Sequence, residues 1–163
     1  MRTIRLLRCA FYLFAGCCFH YTSQGAAISS AVFVSPLGQR VVRTTAFTHS
    51  NHAAAKNAND SRLRSGDLNS AAADWSRFPL GTKFKIVRTN KVYVVDDYGA
   101  ALVGTNKIDL YMPSRREMTN WGTREVTIDI IEPGSYERSL ALLKSRRSVP
   151  YVRRMLRVLE EKV

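Results

Sequence analysis

Between residues 83 and 131 the chain consists of short alternating segments separated by turn residues, and this pattern constrains the fold more than any other feature. The segments KFKIV (83–87) and KVYVV (91–95) flank Thr89-Asn90 and predict a β-hairpin. Strands that are so short and so evenly punctuated predict a small closed β-barrel. The predicted strands are RVVRTTAFT (40–48), 83–87, 91–95, 100–103, 108–111 and EVTIDII (125–131).

The segments between and beyond these strands predict one long loop and three helices. Residues 49–70 are polar and rich in Asn and Ala, which is typical of a long surface loop. Two histidines lie in that loop without an evident third ligand, so exposed loop histidines are favoured over a metal site. A short helix is predicted after Pro113-Ser114, through Asn120, and a weaker helical pattern covers 136–143.

The last segment predicts a basic amphipathic helix that begins near Pro150. Its apolar residues recur at helical spacing, and arginines lie between them. One interpretation is contact with an anionic envelope membrane surface. The other, which is favoured, is a helix packed on the barrel with a solvated basic face. The apolar positions are Val152, Met155, Leu156, Leu159 and Val163.

The N-terminus predicts export. Met1–Arg8 carries three arginines and no acid, and an apolar run of secretory length follows at 9–19. Gly25-Ala26-Ala27 is a plausible cleavage site, which gives a signal peptide at 1–27. The alternative is a lipobox at 14–17, in which Cys17 would be acylated. We therefore expect the protein in the periplasm or at the outer membrane of the cell envelope.

Net charge and cysteine content limit the classes of partner and cofactor that the chain is expected to bind. Lys and Arg number 25 against 13 Asp and Glu, a formal charge of +12, which favours an anionic partner. All three cysteines lie in the leader, so the rest of the chain offers no thiolate ligand or nucleophile, and we expect no metal and no cofactor. Export makes nucleic acid a poor candidate and favours cell-wall glycan with its peptide carboxylates, bound by a monomer.

An acidic stretch, 94–114, stands out in this basic chain. Asp96, Asp97 and Asp109 lie in it, and with Asp74 they are the only four acids between Leu68 and Arg116. Asp109 lies between two apolar residues on a predicted strand, a setting that raises the pKa of a carboxyl. These acids form either a site or the caps of turns.

Five ordered motifs resemble the three-aspartate (3D) domain, which is shared by membrane-bound lytic transglycosylase A and other bacterial wall-active proteins. The resemblance runs from about Thr44 to Ile131. The family's marks are an aspartate before Pro-Leu-Gly-Thr, an Asp-x-Gly-x-Ala stretch leading to a glycine, and a hydrophobic-Asp-hydrophobic-aromatic strand. A Thr-Ala-aromatic strand precedes them and a Trp-Gly-x-Arg-x-Val segment follows. Here they are Thr45–Phe47, Asp74–Thr82, Asp97–Gly104, Ile108–Tyr111 and Trp121–Val126.

The resemblance implies an all-β core, a six-stranded double-psi β-barrel at 40–133. A linker at 28–39 would precede it, and a basic helical tail at 134–163 would follow. It also implies cleavage of the β-1,4 bond between muramic acid and glucosamine in peptidoglycan. Asp109 would be the catalytic acid and then base, Asp97 would supply a neighbouring like charge, and Asp74 would complete the cluster or hold the loop. Because Asp96 precedes Asp97 directly, the choice of Asp97 as the second family aspartate rests on register alone.

The expected substrate-binding residues are two glycines and four aromatic residues. The glycines would let backbone approach a sugar, and the rings would stack on it, although core packing is the commoner role of such rings. The alternative to an enzyme is a non-catalytic, expansin-like glycan binder. The larger transglycosylases build their groove with a second domain. At 163 residues this chain is too short for one, so we expect a shallow cleft. The residues are Gly99, Gly104, Trp75, Tyr98, Tyr111 and Trp121.

Overall fold

The computed structural model describes residues 38–49 and 56–163. Within these residues six strands close into a barrel, and three helices follow or interrupt them. The predicted leader, most of the linker, Cys17 and His52 lie outside the described residues. The strands are β1 (Gln39–Phe47), β2 (Leu68–Ala73), β3 (Lys83–Ile86), β4 (Val92–Asp97), β5 (Lys107–Tyr111) and β6 (Arg124–Glu132).

The strand order around the barrel is β1-β5-β2-β4-β3-β6, and the pairing is mixed. β1 runs parallel to β5 and β2 runs parallel to β4, whereas the other neighbours are antiparallel. Side chains alternate between the interior and the outer face, as strand geometry requires. The barrel confirms the six-stranded, double-psi architecture that the motifs imply, including the hairpin of β3 and β4.

Strand β2 corrects the prediction of a loop through residue 70. Its sequence, LNSAAA, lacks the β-branched and aromatic residues that mark strands, so composition argued against it. The strand forms because it pairs with β4 on one side and β5 on the other. Ala71 and Ala73 are fully buried in the barrel. Pairing with a strand on each side therefore outweighs the weak strand propensity of this sequence.

The segment that joins β4 to β5 is a series of turns and not the predicted strand at 100–103. The backbone N–H of Leu102 donates to the Gly99 carbonyl, and that of Thr105 donates to the Leu102 carbonyl, both at 3.0 Å. We call residues 99–106 the β4–β5 turn. These two bonds are turn bonds within the segment, and the segment adds no strand to the barrel.

The helices are α1 (Arg115–Trp121), α2 (Tyr136–Lys144) and α3 (Pro150–Glu160), close to the predicted positions. The apolar face of α3 is buried in the same hydrophobic cluster as the barrel core, through Val152, Met155 and Leu159. Its arginines remain exposed. The helix packs on the barrel, which was the favoured interpretation. Within residues 38–49 and 56–163, no helix has the length and apolarity needed to cross a membrane.

Candidate active site

A row of four side chains crosses the outer face of the barrel from β1 to β4. Thr45 is paired with Asp109, Asp109 with Ala72, and Ala72 with Asp97. Residues opposite one another on neighbouring strands point to the same face. The two carboxyl groups therefore flank the methyl group of Ala72, and two strand spacings separate their α-carbons by about 10 Å.

A β-bulge decides which of the adjacent aspartates joins this row. The register between β2 and β4 shifts after Ala71, so that Ala71 faces Val95 while Ala72 faces Asp97. Asp96 is the extra residue and is left without a partner in the ladder. Its side chain is 5% exposed and accepts a 2.7 Å hydrogen bond from the Ser70 hydroxyl. Asp97, and not Asp96, therefore shares the row with Asp109, on the other side of Ala72.

The row lines an open pocket of about 370 Å³. The first turn of the β4–β5 connection forms one wall, with Gly99 and Leu102, and Phe47 of β1 contributes an aromatic ring. Lys107, at the start of β5, adds a positive charge. We call this cavity the aspartate pocket. It combines two carboxyl groups with apolar and aromatic surface, a composition suited to a polar ligand with apolar ring faces.

Asp109 projects into the aspartate pocket because the adjacent Ile108 and Leu110 point into the barrel, where both are fully buried. Its Oδ1 accepts a 2.8 Å hydrogen bond from the Thr45 hydroxyl. Burial raises the pKa of the Asp109 carboxyl, and the bond from Thr45 acts in the opposite direction. A carboxyl with a raised pKa retains its proton closer to neutral pH, as a general acid must.

Asp97 has a different environment. The backbone N–H groups of Tyr98 and Ala58 donate to its Oδ1 at 2.9 and 3.0 Å. Burial raises the pKa of Asp97, these two donors lower it, and the charge of the adjacent Asp96 raises it again. The like charge thus comes from Asp96 and acts on Asp97, whereas the sequence had predicted that Asp97 would act on Asp109.

Asp74 is not part of the aspartate pocket, so of its two predicted roles the structure favours the second, which is to hold the loop. Its Oδ1 accepts hydrogen bonds from the backbone N–H and the hydroxyl of Ser76, and its Oδ2 accepts one from the Gly104 N–H at 2.6 Å. The side chain is 1% exposed. Asp74 therefore holds the turn after β2 against the β4–β5 turn. Gly104 is used in that contact and does not lie in the pocket.

Three of the four aromatic residues expected to stack on a sugar are held elsewhere. Trp75 is fully buried, and its indole N–H donates to the Asp97 carbonyl at 2.9 Å. Tyr111 is 5% exposed, and its hydroxyl forms a 2.6 Å hydrogen bond with Nδ1 of His49. Trp121 lies at another surface, where its N–H donates to the Thr44 hydroxyl. Trp75 and Tyr111 are covered within the fold and Trp121 lies away from the aspartate pocket, so none of the three can stack on a ligand there.

Tyr98 and Gly99 are the predicted binding residues that do line the aspartate pocket. The half-buried ring of Tyr98 packs edge-on against Trp75, with 4.8 Å between ring centroids. Its hydroxyl accepts a 3.1 Å hydrogen bond from Arg146, which comes from the segment between α2 and α3. The helical tail therefore fixes one wall of the pocket.

Sequence reasoning had not assigned Thr45, Phe47 and Lys107 to the site. Thr45 and Phe47 are two positions apart on β1 and point to the same face, so the Thr-Ala-aromatic motif held a signal for both. Lys107 lies two positions before Asp109 and shares its face for the same reason. Strand period, applied to the motif residues, would have found all three.

Within residues 38–49 and 56–163, no group of three or more His, Cys, Asp or Glu residues is arranged to hold a metal ion. The aspartate pocket presents three polar groups. These comprise a half-buried carboxyl bonded to a hydroxyl, a second carboxyl across Ala72, and one ammonium group.

Replacing Thr45 with valine should raise the pKa of Asp109 further, because the substitution removes the hydrogen bond that stabilises the carboxylate form. Valine has a similar shape, so the strand pairing should persist. Carboxyl ¹³C chemical shifts followed through a pH titration would measure the change. Asp97, which has no bond to Thr45, serves as the internal reference in the same spectra. An Asp109 titration that is unmoved, or moved to lower pH, would contradict this assignment.

Residues 69–132 match the family model of the 3D domain. The match begins within β2 and ends with β6, so it includes both aspartates of the pocket. Strand β1, which supplies Thr45 and Phe47, precedes it, and α2 and α3 follow it. No curated protein matches the chain. The closed barrel agrees with the match, and the chain therefore carries a domain of the 3D family, which is associated with peptidoglycan-active proteins of the lytic transglycosylase type.

Proposed function

We propose that the chain cleaves the β-1,4 glycosidic bond between muramic acid and glucosamine in peptidoglycan, with Asp109 as the catalytic acid and base. The observation that carries the proposal is the half-buried Asp109 carboxyl, with a raised pKa, at the wall of a pocket on a 3D-family barrel. Peptidoglycan lies in the cell envelope, so the proposal requires export, as the N-terminal sequence predicts.

The proposed reaction needs one carboxyl group. Protonated Asp109 donates its proton to the glycosidic oxygen as the bond from that oxygen to C1 of muramic acid breaks. The C6 hydroxyl of the same sugar then attacks C1, and the Asp109 carboxylate accepts the proton of that hydroxyl. The product is a 1,6-anhydro sugar, no water is consumed, and the aspartate ends protonated as it began.

The Thr45 hydroxyl suits both halves of this cycle. It donates to Oδ1 of Asp109, which leaves Oδ2 as the oxygen that can carry and transfer the proton. A fixed donor also holds the carboxyl group in one orientation toward the pocket. Thr45 therefore acts through Asp109, as a positioning residue.

A hydrolytic route is the second candidate, and the pair of carboxyl groups that face one pocket favours it. Inverting glycosidases use two carboxyl groups about 6.5–9.5 Å apart, one as acid and one as base for a water molecule. Asp97, across Ala72 from Asp109, would be that base. Burial raises the pKa of Asp97, whereas its two backbone donors act in the opposite direction and favour the carboxylate form that a base requires.

Digestion of purified sacculi by the wild-type chain tests the proposal. The released muropeptides are analysed by mass, and we expect anhydro-muropeptides. Reducing ends would replace the anhydro route with the hydrolytic one. Binding to sacculi without release would point to the expansin-like alternative, and the absence of both binding and release would refute a role in the cell wall.

A further inference from the structure

A second and larger pocket, of about 520 Å³, lies between the barrel and the helical tail. Four basic side chains line it against a single acid, Asp74. The acid is already satisfied by hydrogen bonds from Ser76 and Gly104. We call this cavity the basic pocket. Its basic residues are Arg40, Arg77, Arg154 and Lys162.

These basic residues come from separate elements and are not used up by ion pairs. Arg40 belongs to β1, Arg77 to the turn after β2, and Arg154 to α3. Within residues 38–49 and 56–163, the salt bridges join other residues, Lys83 to Glu132 and Lys85 to Asp129. All four basic side chains belong to exposed residues. Such a surplus of charge on a concave surface attracts an anion with more than one charge.

The walls of the basic pocket also contain aromatic surface. Arg40 lies over the Phe78 ring at 5.7 Å, and the Lys162 ammonium lies over the Tyr136 ring at 4.7 Å. The same ammonium donates to the Ser76 carbonyl at 2.6 Å. These contacts hold two of the four charges in place, which lowers the entropic cost of binding a ligand.

The β4–β5 turn borders both pockets. Gly99 and Leu102 line the aspartate pocket, whereas Gly104 and Asn106 line the basic pocket. The two pockets therefore share the β4–β5 turn as a wall, and a glycan strand with its peptide stem could occupy both. The charges come from β1, the turn after β2, α3 and the residues just after α3, an arrangement that fits several separated carboxylates better than one compact phosphate. Arginine is well suited to carboxylates because its planar fork can bind both oxygens.

We propose that the basic pocket binds the carboxylates of the peptide stem attached to the glycan strand in the aspartate pocket. The inference rests on the proposed function, because it takes both parts of the ligand from one peptidoglycan strand. It makes the peptide stem a determinant of substrate choice. The residues that carry it, Arg77 and Arg154, lie outside the aspartate pocket.

The direct test is calorimetric titration of the purified chain with a free peptidoglycan stem peptide, with the same peptide fully amidated, and with inorganic phosphate. We expect the free peptide to bind and the amidated peptide to bind at least tenfold more weakly. Replacing both Arg77 and Arg154 with glutamine should weaken binding of the free peptide at least tenfold, since each removes a charged hydrogen-bond donor.

The control is Arg116→Gln, which removes a positive charge from the exposed face of α1 and should leave peptide binding unchanged. Equal binding of the two peptides, or a double variant that binds like the wild type, would overturn the inference. Phosphate that binds more tightly than the peptide would overturn it too, and would make the pocket a phosphate site.

Cleavage is measured separately, on glycan strands stripped of their peptides. Cleavage of those strands by a protein that does not bind the peptide overturns the peptide inference and leaves the proposed function standing. Peptide binding by a chain that cleaves no glycan supports the basic pocket and overturns the proposed function. The two failures are therefore distinguishable.

Discussion

Asp109→Asn should lower the release of muropeptides from sacculi by about 10²- to 10⁴-fold, the usual contribution of a general acid and base. Asparagine has nearly the same shape and can still accept the hydrogen bond from Thr45, so the side chain should keep its position. It cannot donate a proton as an acid or accept one as a base. Both proton transfers of the proposed cycle are lost together.

The pH dependence of the melting temperature shows whether Asp109→Asn loses activity without losing its folded structure. Because the pKa of Asp109 is raised in the folded protein, the protonated form of this carboxyl stabilises the fold. That stabilisation is fully present below the unfolded pKa of about 3.9 and is lost as the pH rises through the folded pKa. Asparagine carries no charge at any of these pH values. The melting temperature of Asp109→Asn at neutral pH should therefore equal or exceed that of the wild type, and the difference should shrink in acid.

Two further variants make the activity result specific. Asp67→Asn makes the same chemical change at an exposed residue outside the pocket and should leave muropeptide release unchanged. Asp97→Asn separates the two routes. It should retain most of the activity if one carboxyl suffices, and should be as damaging as Asp109→Asn if Asp97 activates water. Full activity of Asp109→Asn itself would refute the proposed role of that residue.

The sequence predicted the barrel because its motifs and most of its strands have local signals. Alternation at 83–95 and 125–131 reflects one face buried in the barrel, and the structure has strands in both places. β2 had no such signal, since alanine neither alternates with polar residues nor favours strands. Its alanines are explained only by what surrounds them. Ala71 and Ala73 pack inside the barrel, and Ala72 lies between two carboxyl-bearing strands.

The composition of the site was harder to predict, because one sequence does not separate residues that act from residues that hold the fold. Asp74 and Trp75 belong to the motifs of the same family as Asp109, yet both are buried. Asp74 is bonded to the β4–β5 turn, and Trp75 is bonded to the end of β4. The choice between Asp96 and Asp97 depends on a bulge in the pairing of β2 with β4, two strands far apart in sequence. Pairing partners of this kind are set by tertiary structure and leave no local pattern.

Gly134→Ala should destabilise the protein by about 3 kcal/mol or more, the largest effect that we expect from a single methyl group. A Cβ at this position would lie 2.6 Å from both the Leu80 carbonyl oxygen and the Thr82 nitrogen, and it would also overlap the Pro79 carbonyl oxygen. All three are backbone atoms, which cannot turn aside as a flexible side chain could.

This close approach matters because of where the two segments lie. Gly134 connects β6 to α2, and it packs on the turn at 79–82 that leads into β3. The Gly134 N–H donates to the Thr82 hydroxyl at 3.2 Å, and the Ser135 N–H donates to the Leu80 carbonyl at 3.0 Å. The Ser139 hydroxyl of α2 then accepts from the Leu80 N–H at 2.9 Å. Forcing the chain away from the turn would loosen these bonds together, and with them the attachment of the helical tail.

Chemical denaturation of Gly134→Ala, compared with the wild type and with Gly99→Ala, measures the effect. A Cβ at Gly99 would meet the Leu102 side chain at 3.7 Å, an ordinary contact, so this matched substitution should change the free energy of unfolding by less than about 1 kcal/mol. Because Tyr98 accepts its hydrogen bond from Arg146 in the tail, loosening the tail should also disturb the wall of the aspartate pocket. If Gly134→Ala unfolded at the same denaturant concentration as Gly99→Ala, the close approach of the two backbone segments would not be a determinant of stability.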